Sequence, residues 1–560
     1  MRFSRIAIAL AVLALGVVLA VLIARGGDDE KSPTTTQATE PTVPTEPADP
    51  FPTEQAFAEP PVIRTEDGPV ELVARNGTIR MSGVDVGDAQ SYVPADAADG
   101  PPPGLLGPTL HVKPGEELDL TLVNQLQVIP AIKKFSDDTC GGADKPDDET
   151  HEHNPADSPD SGPQYTNFHF HGLHVTPTTR KLPDGATVYG DNVLLNLPKG
   201  RAHFEFKVPA DHEQGTYWYH AHRHGCTDDQ VARGLAGLLI IGDSRTELPE
   251  RFRDVETRSL ALKDVQVEKR GSGYAIPADH GLANPTHRTV NGQLNPELKI
   301  RPGETQLWRL ANTSAGVWYE VALVDPANGD AQDELFVVAE DGNTLESALV
   351  KKAVRLGPGQ RADVLVRGPD SGSRVLKTLQ FNQGHVVFPE DVLASLAVGG
   401  KPAKPIDEPG SLKPLAPFPR DRGVDRTFVF DFAPAPSPDP NAFASINGKA
   451  FDPDPDSAPI ADPQLNTTEK WTFLNNTDEW HPIHIHQDDF KVVSIGGKPV
   501  DPNGQQDVVA LPPKVGDKQG EAVIEMPFED FDGKFVIHCH ILGHEDGGMM
   551  GRIDLAPAAP

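Results

Sequence analysis

The segment that decides the fold of this chain reads Phe535-Val536-Ile537-His538-Cys539-His540-Ile541-Leu542-Gly543-His544-Glu545-Asp546-Gly547-Gly548-Met549. Its aromatic and β-branched lead-in is typical of a β-strand, in which successive side chains alternate between two faces. His538 and His540 therefore share one face, and Cys539 points to the other. The segment predicts two metal sites that lie back to back across one strand.

Histidine pairs of the form His-x-His are in excess. A random distribution of the 20 histidines predicts roughly one such pair. The six pairs are His151/His153, His169/His171, His220/His222, His222/His224, His484/His486 and His538/His540. Two imidazoles on one face of a strand can converge on one metal, and neutral imidazole suits copper. The pair in the Asp/Pro-rich loop before residue 160 is interpreted as solvated, and the Tyr217-Trp218-Tyr219 lead-in favours His220 and His222 over His224.

A second ligand set accompanies Cys539. His481 lies three residues before His484 and has the opposite parity, which matches Cys539, although Pro482 can distort the strand locally. His544 and Met549 follow Cys539 in a glycine-rich segment. Two histidines, one cysteine and a weakly held methionine are the ligands of a blue-copper electron-transfer site.

The rest of the chain predicts an all-β protein. One pattern recurs three times: a Pro or Gly turn, an acidic residue, alternating apolar residues and a terminal asparagine, at Asn124, Asn312 and Asn475. The 55 prolines and 51 glycines disfavour helix interiors. We predict three β-sandwich domains, at residues 62–245, 246–405 and 420–560.

The amino-terminal part predicts export. Residues 1–27 contain an unbroken apolar or glycine run at 6–23 behind two arginines, which is either an export signal or a membrane anchor. Residues 28–61 are rich in Pro, Thr and acidic residues and predict a disordered linker. The bulk of the protein is therefore expected outside the cytoplasm, secreted or anchored to the membrane. A formal net charge of −32 argues against a nucleic-acid partner.

The odd number of cysteines requires one with a separate role. The three cysteines are Cys140, Cys226 and Cys539. If Cys539 binds metal, Cys140 and Cys226 are candidates for a disulfide, but sequence does not show whether their Cα atoms come within bridging distance.

Four motifs together resemble the signatures of the multicopper oxidases, and the resemblance covers essentially everything after residue 61. The motifs are His169-Phe170-His171-Gly172, His220-Ala221-His222, His481-Pro482-Ile483-His484-Ile485-His486 and the segment from His538 to Met549. The resemblance implies cupredoxin-like Greek-key domains, four coppers, and one-electron oxidation of a small reducing substrate coupled to reduction of dioxygen to water. It implies type 1 (blue) copper ligands His481, Cys539, His544 and Met549, type 2 ligands His169 and His484, and type 3 ligands His171, His220, His222, His486, His538 and His540. The trinuclear cluster should then lie between the first and third domains, with the middle domain as a spacer and a wall.

Dioxygen reduction also needs protons in a buried site, and a carboxylate can relay them. Glu545 resembles the acidic residue that serves this role in bacterial relatives. The second family carboxylate is missing at its usual spacing, where Arg180 stands. Asp184 or Asp191 could substitute, and we favour Asp191.

The substrate class follows from what the chain lacks. It contains five methionines and no methionine-rich segment of the kind that holds Cu(I). A laccase-like activity on phenols or aromatic amines is expected first, with oxidation of Fe(II) or Mn(II) presented to His481 by Asp488 and Asp489 as the alternative. A non-enzymatic copper-storage or cell-envelope scaffold protein of the same fold is the rival class, and retention of all ten histidine ligands argues against a scaffold.

Overall fold

The computed structural model describes residues 51, 55–100, 103–129, 164–282, 284–432, 442–454, 456–500 and 503–556. All of these belong to one compact unit. Within these ranges, the helices are too short or too polar to cross a bilayer. The predicted export segment at 6–23 and the linker residues 28–50 lie outside the described residues.

The first domain is a sandwich of two sheets. One sheet has the strand order β2-β5-β12-β11-β7, and the other contains β4-β3-β6-β10-β9-β8. Helix α1, Thr227–Ala232, lies between β11 and β12. In chain order, β1 to β12 are Gln55–Ala56, Val62–Arg64, Val70–Met81, Val84–Pro94, Thr109–Val112, Glu117–Asn124, His169–His171, Arg180–Lys181, Thr187–Tyr189, Gly200–Lys207, Gly215–His220 and Ala236–Ile241.

The middle domain repeats this architecture. Its sheets have the orders β16-β13-β18-β24-β21-β22 and β1-β17-β28-β25-β19-β20. In chain order, β13 to β28 are Glu256–Val265, Glu268–Arg270, Gly273–Ala275, His287–Val290, Pro296–Ile300, Thr305–Asn312, Tyr319–Asp325, Ala331–Gln332, Leu335–Glu340, Asn343–Lys351, Val354–Leu356, Arg361–Arg367, Arg374–Thr378, Phe381–Asn382, Val387–Phe388 and Asp391–Val398.

The third domain has sheets of order β30-β29-β31-β36-β33-β34 and β35-β32-β37-β38. Helix α2, Leu542–Asp546, joins β37 to β38. In chain order, β29 to β38 are Asp421–Asp431, Ser445–Ile446, Thr467–Asn475, His481–Ile485, Lys491–Ile495, Lys498–Pro499, Val508–Leu511, Gly520–Phe528, Gly533–Cys539 and Met550–Leu555. Short 3₁₀ helices lie at Thr65–Asp67, Ala95–Ala97, Ser244–Glu247, Glu250–Phe252 and Pro326–Asn328.

The all-β prediction is confirmed, and the recurrent pattern has a structural counterpart. Each of the three asparagines ends a strand, is buried, and donates hydrogen bonds from its side-chain amide to two backbone carbonyls of neighbouring segments. The acceptors are Gln164 and Leu197 for Asn124, Val317 and Leu356 for Asn312, and Glu479 and Pro512 for Asn475. A buried amide must satisfy its donors, so each asparagine closes its sandwich at the same place. In β6, the alternating leucines at 118, 120 and 122 are fully buried.

The linker prediction is wrong at its carboxyl end. Residues 55 and 56 form β1, which pairs in parallel with Pro296 and Glu297 of the middle domain. Ala58 also donates its N–H to the Gln293 side chain at 2.8 Å. Backbone groups that pair with a sheet edge are ordered whatever their local composition, because the hydrogen bonds come from a distant segment. A second exchange links β15 of the 268–275 hairpin to β4 of the first domain.

Candidate metal centres between the first and third domains

Strand pairing brings eight histidines together from two domains. In the first domain, β11 runs antiparallel to β7, and His220 pairs with His169. In the third domain, β37 runs antiparallel to β32, and His538 pairs with His484. All eight are buried: His169, His171, His220, His222, His484, His486, His538 and His540. Triads with potential ligand atoms within 4.8 Å of one another include His169, His484 and His486, and also His222, His486 and His538.

Five buried imidazole nitrogens in this cluster have no hydrogen-bond partner, and three of them are Nε2 atoms. These three belong to His169, His220 and His484. The opposite nitrogen of each ring is engaged: Nδ1 lies 3.0 Å from the Asp191 carboxylate, 2.9 Å from the Ala221 carbonyl and 2.8 Å from the Asp507 carbonyl, respectively. These acceptors place the ring proton on Nδ1 and leave the lone pair on Nε2. A buried lone pair without a donor is costly, and a metal ion satisfies it.

Other ring nitrogens in the cluster face one another. His538 Nε2 lies 3.2 Å from His222 Nε2 and 3.3 Å from His486 Nε2. His540 Nε2 lies 3.2 Å from His171 Nδ1. The Nδ1 atom of His538 faces the Cys539 carbonyl at 3.1 Å, so its Nε2 carries a lone pair. Facing lone pairs repel, and a cation between them turns the arrangement into a binding site.

The electrostatics of the cluster favour neutral imidazoles. Burial, and then the neighbouring imidazoles, lower the pKa of His169, His220 and His540 well below the usual range. Burial also lowers the pKa of His222, to about 4. Since metal binding requires the deprotonated nitrogen, these rings need not release a proton at neutral pH.

A second cluster lies on the other side of β37. The Cys539 Sγ atom is 3.4 Å from His481 Nδ1 and 3.8 Å from His544 Nδ1. The strand thus presents its sulfur to one side and its flanking imidazoles to the other. Burial raises the pKa of the Cys539 thiol and lowers that of His544 to about 3. A buried thiol at this position becomes a thiolate only beside a cation.

Two hydrogen-bonding arrangements orient this second cluster. The Thr477 hydroxyl lies 2.7 Å from His481 Nε2, so Nδ1 of that ring faces the sulfur. Met549 is fully buried, its carbonyl accepts the Cys539 N–H at 3.0 Å, and its own N–H donates to the His544 carbonyl at 2.8 Å. The backbone therefore closes a loop around the sulfur from Cys539 to Met549.

Comparison with known proteins decides the family. Two sequence profiles described as multicopper oxidase match residues 160–246 and 428–558. A multicopper oxidase of Staphylococcus haemolyticus is 28% identical over 457 residues, 80% of this chain and 82% of the relative. A laccase of Haloferax volcanii is 27% identical over 469 residues, 79% of this chain and 75% of the relative. The crystal structure of a multicopper oxidase from Aquifex aeolicus superposes with a TM-score of 0.68 at 19% identity, covering 90% of this chain and 99% of that one, which shows the shared fold.

The chain belongs to the multicopper oxidase family. It consists of cupredoxin-like β-sandwich domains and is a copper-dependent oxidoreductase with dioxygen as electron acceptor. The family implies copper, and the residues fit it: unpaired buried imidazole nitrogens on one side of β37, and a thiol between two imidazoles on the other. The storage or scaffold alternative is not favoured.

Glu545 of this multicopper oxidase lies directly behind the histidine cluster. Its buried carboxylate is 3.0 Å from His538 Nδ1 and 3.4 Å from His222 Nδ1, and the Thr227 hydroxyl donates to it at 3.0 Å. Burial alone would raise the pKa of Glu545, but the two imidazoles outweigh burial and lower it to about 2. The group is therefore a carboxylate that touches one imidazole from each domain.

The second predicted carboxylate, Asp191, also reaches the cluster. It lies 3.0 Å from His169 Nδ1 and accepts the Phe170 N–H. Burial raises its pKa well above the usual range. Asp184 is instead exposed and accepts the N–H of Ala186 in a local turn.

The sequence did not indicate two groups that complete the histidine cluster. Asp507 lies 3.3 Å from His171 Nε2 with its carboxylate, and Arg361 of the middle domain binds that carboxylate. Near Cys539, Glu479 lies 3.7 Å from His544 Nε2. None of these residues stands in a motif, because each reaches the site through packing between distant segments.

Gly359 of the middle domain packs directly against two rings of the histidine cluster. Its φ is +86°, and a Cβ there would lie 2.9 Å from both His171 Cε1 and His540 Cδ2. Gly359→Ala is expected to displace these rings and to lower oxygen consumption about 10²-fold. Oxygen-electrode turnover and copper content measure the effect.

Gly372→Ala is the matched control for this prediction. Gly372 has the same φ of +86°, but the nearest atom to its Cβ is Arg374 Nη1 at 3.7 Å. Both variants carry the same left-handed backbone cost of about 1–2 kcal/mol. Equal turnover by the two variants would show that the middle domain does not constrain the rings.

The remaining sequence candidates are Cys140, Cys226, His224 and the His151/His153 pair. Cys226 is disulfide-bonded and Cys539 is free, whereas Cys140, its proposed partner in the sequence, lies outside the described residues. The His151/His153 pair lies outside them too. The His224 ring packs on Phe451 with centroids 4.8 Å apart.

Proposed function

We propose that this oxidase takes single electrons from a phenol or aromatic amine and passes them through Cys539 to the histidine cluster. The electrons would enter at the partly exposed side of the His544 ring, called here the His544 edge. In this proposal the type 1 copper would be held by His481, Cys539, His544 and Met549. The type 2 copper would be held by His169 and His484, and the type 3 pair by His171, His220, His222, His486, His538 and His540. The observation that carries the proposal is the alternation on β37. The sulfur of Cys539 lies 3.4 Å from His481 Nδ1 while its two chain neighbours join the other cluster.

Copper at these positions would supply one-electron redox chemistry at the thiolate and oxygen binding at the cluster. The chain itself supplies the route and the insulation. Cys539 is bonded through its backbone to His538 and His540, so electrons need not cross a gap between segments. The cluster histidines are almost completely shielded from solvent, which excludes reductants larger than dioxygen from the reducing site.

The His544 edge is the part of the sulfur site that substrate could reach. The His544 side chain is 12% exposed, whereas His481 is completely buried. The rings of Phe432 and Phe443 lie 5.0 and 6.1 Å from the His544 ring, and Phe443 is 38% exposed. Aromatic edges beside a partly exposed electron acceptor favour a planar aromatic donor.

Glu479 supplies a hydrogen-bond acceptor at the same edge. Its Oε2 atom is 3.7 Å from His544 Nε2 and accepts the Gln383 side-chain N–H at 2.7 Å. A phenol that contacts His544 could donate its O–H to this carboxylate. Asp488 is instead buried against His174, and the half-buried Asp489 accepts the Asn343 side-chain N–H at 3.0 Å, so both carboxylates already have partners other than His481.

The substrate class is tested by comparing steady-state rates of oxygen consumption. With a substituted phenol as donor, kcat/KM is expected to exceed the values for Fe(II), Mn(II) and Cu(I). Glu479→Gln should lower kcat/KM for the phenol about tenfold, because a charge-assisted hydrogen bond is lost. The rate with hexacyanoferrate(II), which has no O–H, should not change.

Asp478→Asn is the matched control, since it removes an exposed carboxylate from the neighbouring position. It should leave both rates unchanged. If the enzyme oxidised a metal ion faster than any phenol, the proposed aromatic substrate would be wrong and a metal ion would be the substrate.

Proton supply belongs to the same proposal. Glu545 and Asp191 would hold protons at the outer nitrogens of His538, His222 and His169 while dioxygen is reduced. Both carboxylates are buried within hydrogen-bonding or ion-pair distance of those rings. Their side-chain oxygens are thus placed to exchange protons with the site without opening it to solvent.

We also propose that the protein works outside the cytoplasm, secreted or held at the membrane by residues 6–23. The apolar run behind Arg2 and Arg5 supports this, as does the disulfide at Cys226, because disulfides persist in oxidising compartments. Fractionation of cells that express the full chain should place the protein in the membrane fraction or the medium. A variant without residues 2–27 should stay in the cytoplasm, and equal distribution of the two would contradict export.

A further inference from the structure

Arg361 is a fully buried arginine that touches all three domains. It begins β24 in the middle domain. Its Nε donates to the Thr216 carbonyl of the first domain at 3.1 Å, and its Nη2 donates to the Asp341 carbonyl of its own domain at 2.8 Å. Both Nη atoms bind the Asp507 carboxylate of the third domain, at 2.7 and 2.6 Å.

Asp507 in turn contacts one cluster histidine from each outer domain. Its Oδ1 atom lies 3.3 Å from His171 Nε2, and its backbone carbonyl lies 2.8 Å from His484 Nδ1. The acceptors place a proton on His171 Nε2 and on His484 Nδ1. They leave His171 Nδ1 and His484 Nε2, the nitrogens that face the cluster, with their lone pairs.

The surrounding residues leave room for this ion pair. A Cβ on Gly172, directly after His171, would lie 2.3 Å from Asp507 Oδ2 and 2.4 Å from Arg361 Nη2. Replacing a buried ion pair by apolar side chains of similar volume is often neutral or stabilising, so fold stability alone does not account for a pair here. The contacts with His171 and His484 do provide a reason.

We propose that Arg361 is a positioning residue of the middle domain, which fixes the Asp507 carboxylate in the orientation that holds His171 and His484 for copper. The inference rests on the proposed assignment of these two histidines as ligands of the cluster. The middle domain is then more than a spacer and a wall, because it orients ligands of the oxygen-reducing site through a bidentate ion pair.

The test compares Arg361→Lys and Arg361→Gln with the unmodified full chain. Lysine keeps the charge but loses the bidentate geometry, and glutamine loses both. Copper per protein is measured after dialysis against a chelator, together with the type 2 copper EPR signal and the thiolate-to-copper absorption of the type 1 site. We expect retention of cluster copper to fall about 10- to 100-fold in Arg361→Gln, with an altered type 2 signal and an unchanged type 1 band. Copper retention in Arg361→Lys should lie between that of Arg361→Gln and that of the unmodified chain.

Arg367→Gln is the matched control on the same strand. Arg367 donates to the Ile406 carbonyl at 2.6 Å and does not contact the cluster. The Arg367→Gln variant should keep all its copper, its type 2 EPR signal and its type 1 absorption band. Arg361→Gln that keeps its cluster copper with an unaltered type 2 signal would overturn the inference, as would equal copper loss in Arg361→Gln and Arg367→Gln.

Asp507→Asn keeps the test decisive if Arg361→Gln does not fold. This variant preserves the backbone carbonyl that binds His484, and it removes the carboxylate charge that binds Arg361 and faces His171. The same selective change in the type 2 signal is expected, and an unaltered signal would reject the positioning role. Failure of the proposed function looks different, because the unmodified protein would then lack the type 1 band or would consume no oxygen.

Discussion

Cys539→Ser is expected to abolish both the blue colour and all measurable oxygen consumption. The sulfur lies 3.4 Å from His481 Nδ1 and 3.8 Å from His544 Nδ1, and no other cysteine is close in sequence. A serine hydroxyl does not ionise at neutral pH and is a hard ligand, so it cannot replace the thiolate. The visible spectrum, copper content and oxygen electrode measure the result.

The fold and the other copper site should survive this substitution. Burying a hydroxyl in the third-domain core costs about 1–3 kcal/mol, which a domain of this size tolerates. Ala522→Ser is the matched control, because Ala522 is fully buried in the same core and is not among the proposed ligands. Ala522→Ser should keep colour and turnover. Turnover by Cys539→Ser would show that electrons enter by a route that does not use the sulfur.

Glu545→Gln is expected to lower kcat by about 10²- to 10⁴-fold, the usual contribution of a positioned proton donor or acceptor. Glutamine is nearly isosteric and can keep the hydrogen bond from Thr227, but it cannot take up and release a proton. The carboxylate lies 3.0 Å from His538 Nδ1 and 3.4 Å from His222 Nδ1, so its loss affects both domains of the cluster. Rapid mixing with a reductant should still bleach the blue band, while its return in oxygenated buffer should slow.

Glu469→Gln controls for the loss of a buried charge. Glu469 is buried in the same domain, where it pairs with Arg426 at 2.6 Å and accepts the Trp471 indole N–H at 3.0 Å. It does not contact the proposed ligands, so kcat should not change in folded protein. If Glu545→Gln kept more than half of the kcat, proton supply would not pass through this carboxylate.

The proposed roles divide between the domains in a way that follows from their contacts. The first and third domains provide the imidazoles, and the third also provides the thiol. The middle domain contributes Arg361 and the close approach of Gly359, neither of which is a candidate ligand. Because these two residues do not bind metal, they can be substituted without removing a ligand. The Arg361 and Gly359 variants therefore test how the ligands are oriented rather than whether they are present.

The sequence by itself determined the chemistry of the metal centres and the fold class. Alternation on a strand is a property of the local backbone, so the neighbours of Cys539 already assigned its sulfur to one face and two imidazoles to the other. The recurrent asparagine pattern indicated three similar units, and in the structure each asparagine closes its own sandwich.

Only the tertiary structure decided what surrounds those centres. Asp507 and its partner His171 are 336 residues apart, and Arg361 is 146 residues from Asp507. Glu479 lies two residues from His481, yet its contact is with His544, which comes from another strand connection. The short strand at 55–56 likewise owes its order to the middle domain. Such contacts depend on how three sandwiches pack together, and no local pattern of residue types encodes a distance between segments that meet only in the folded protein.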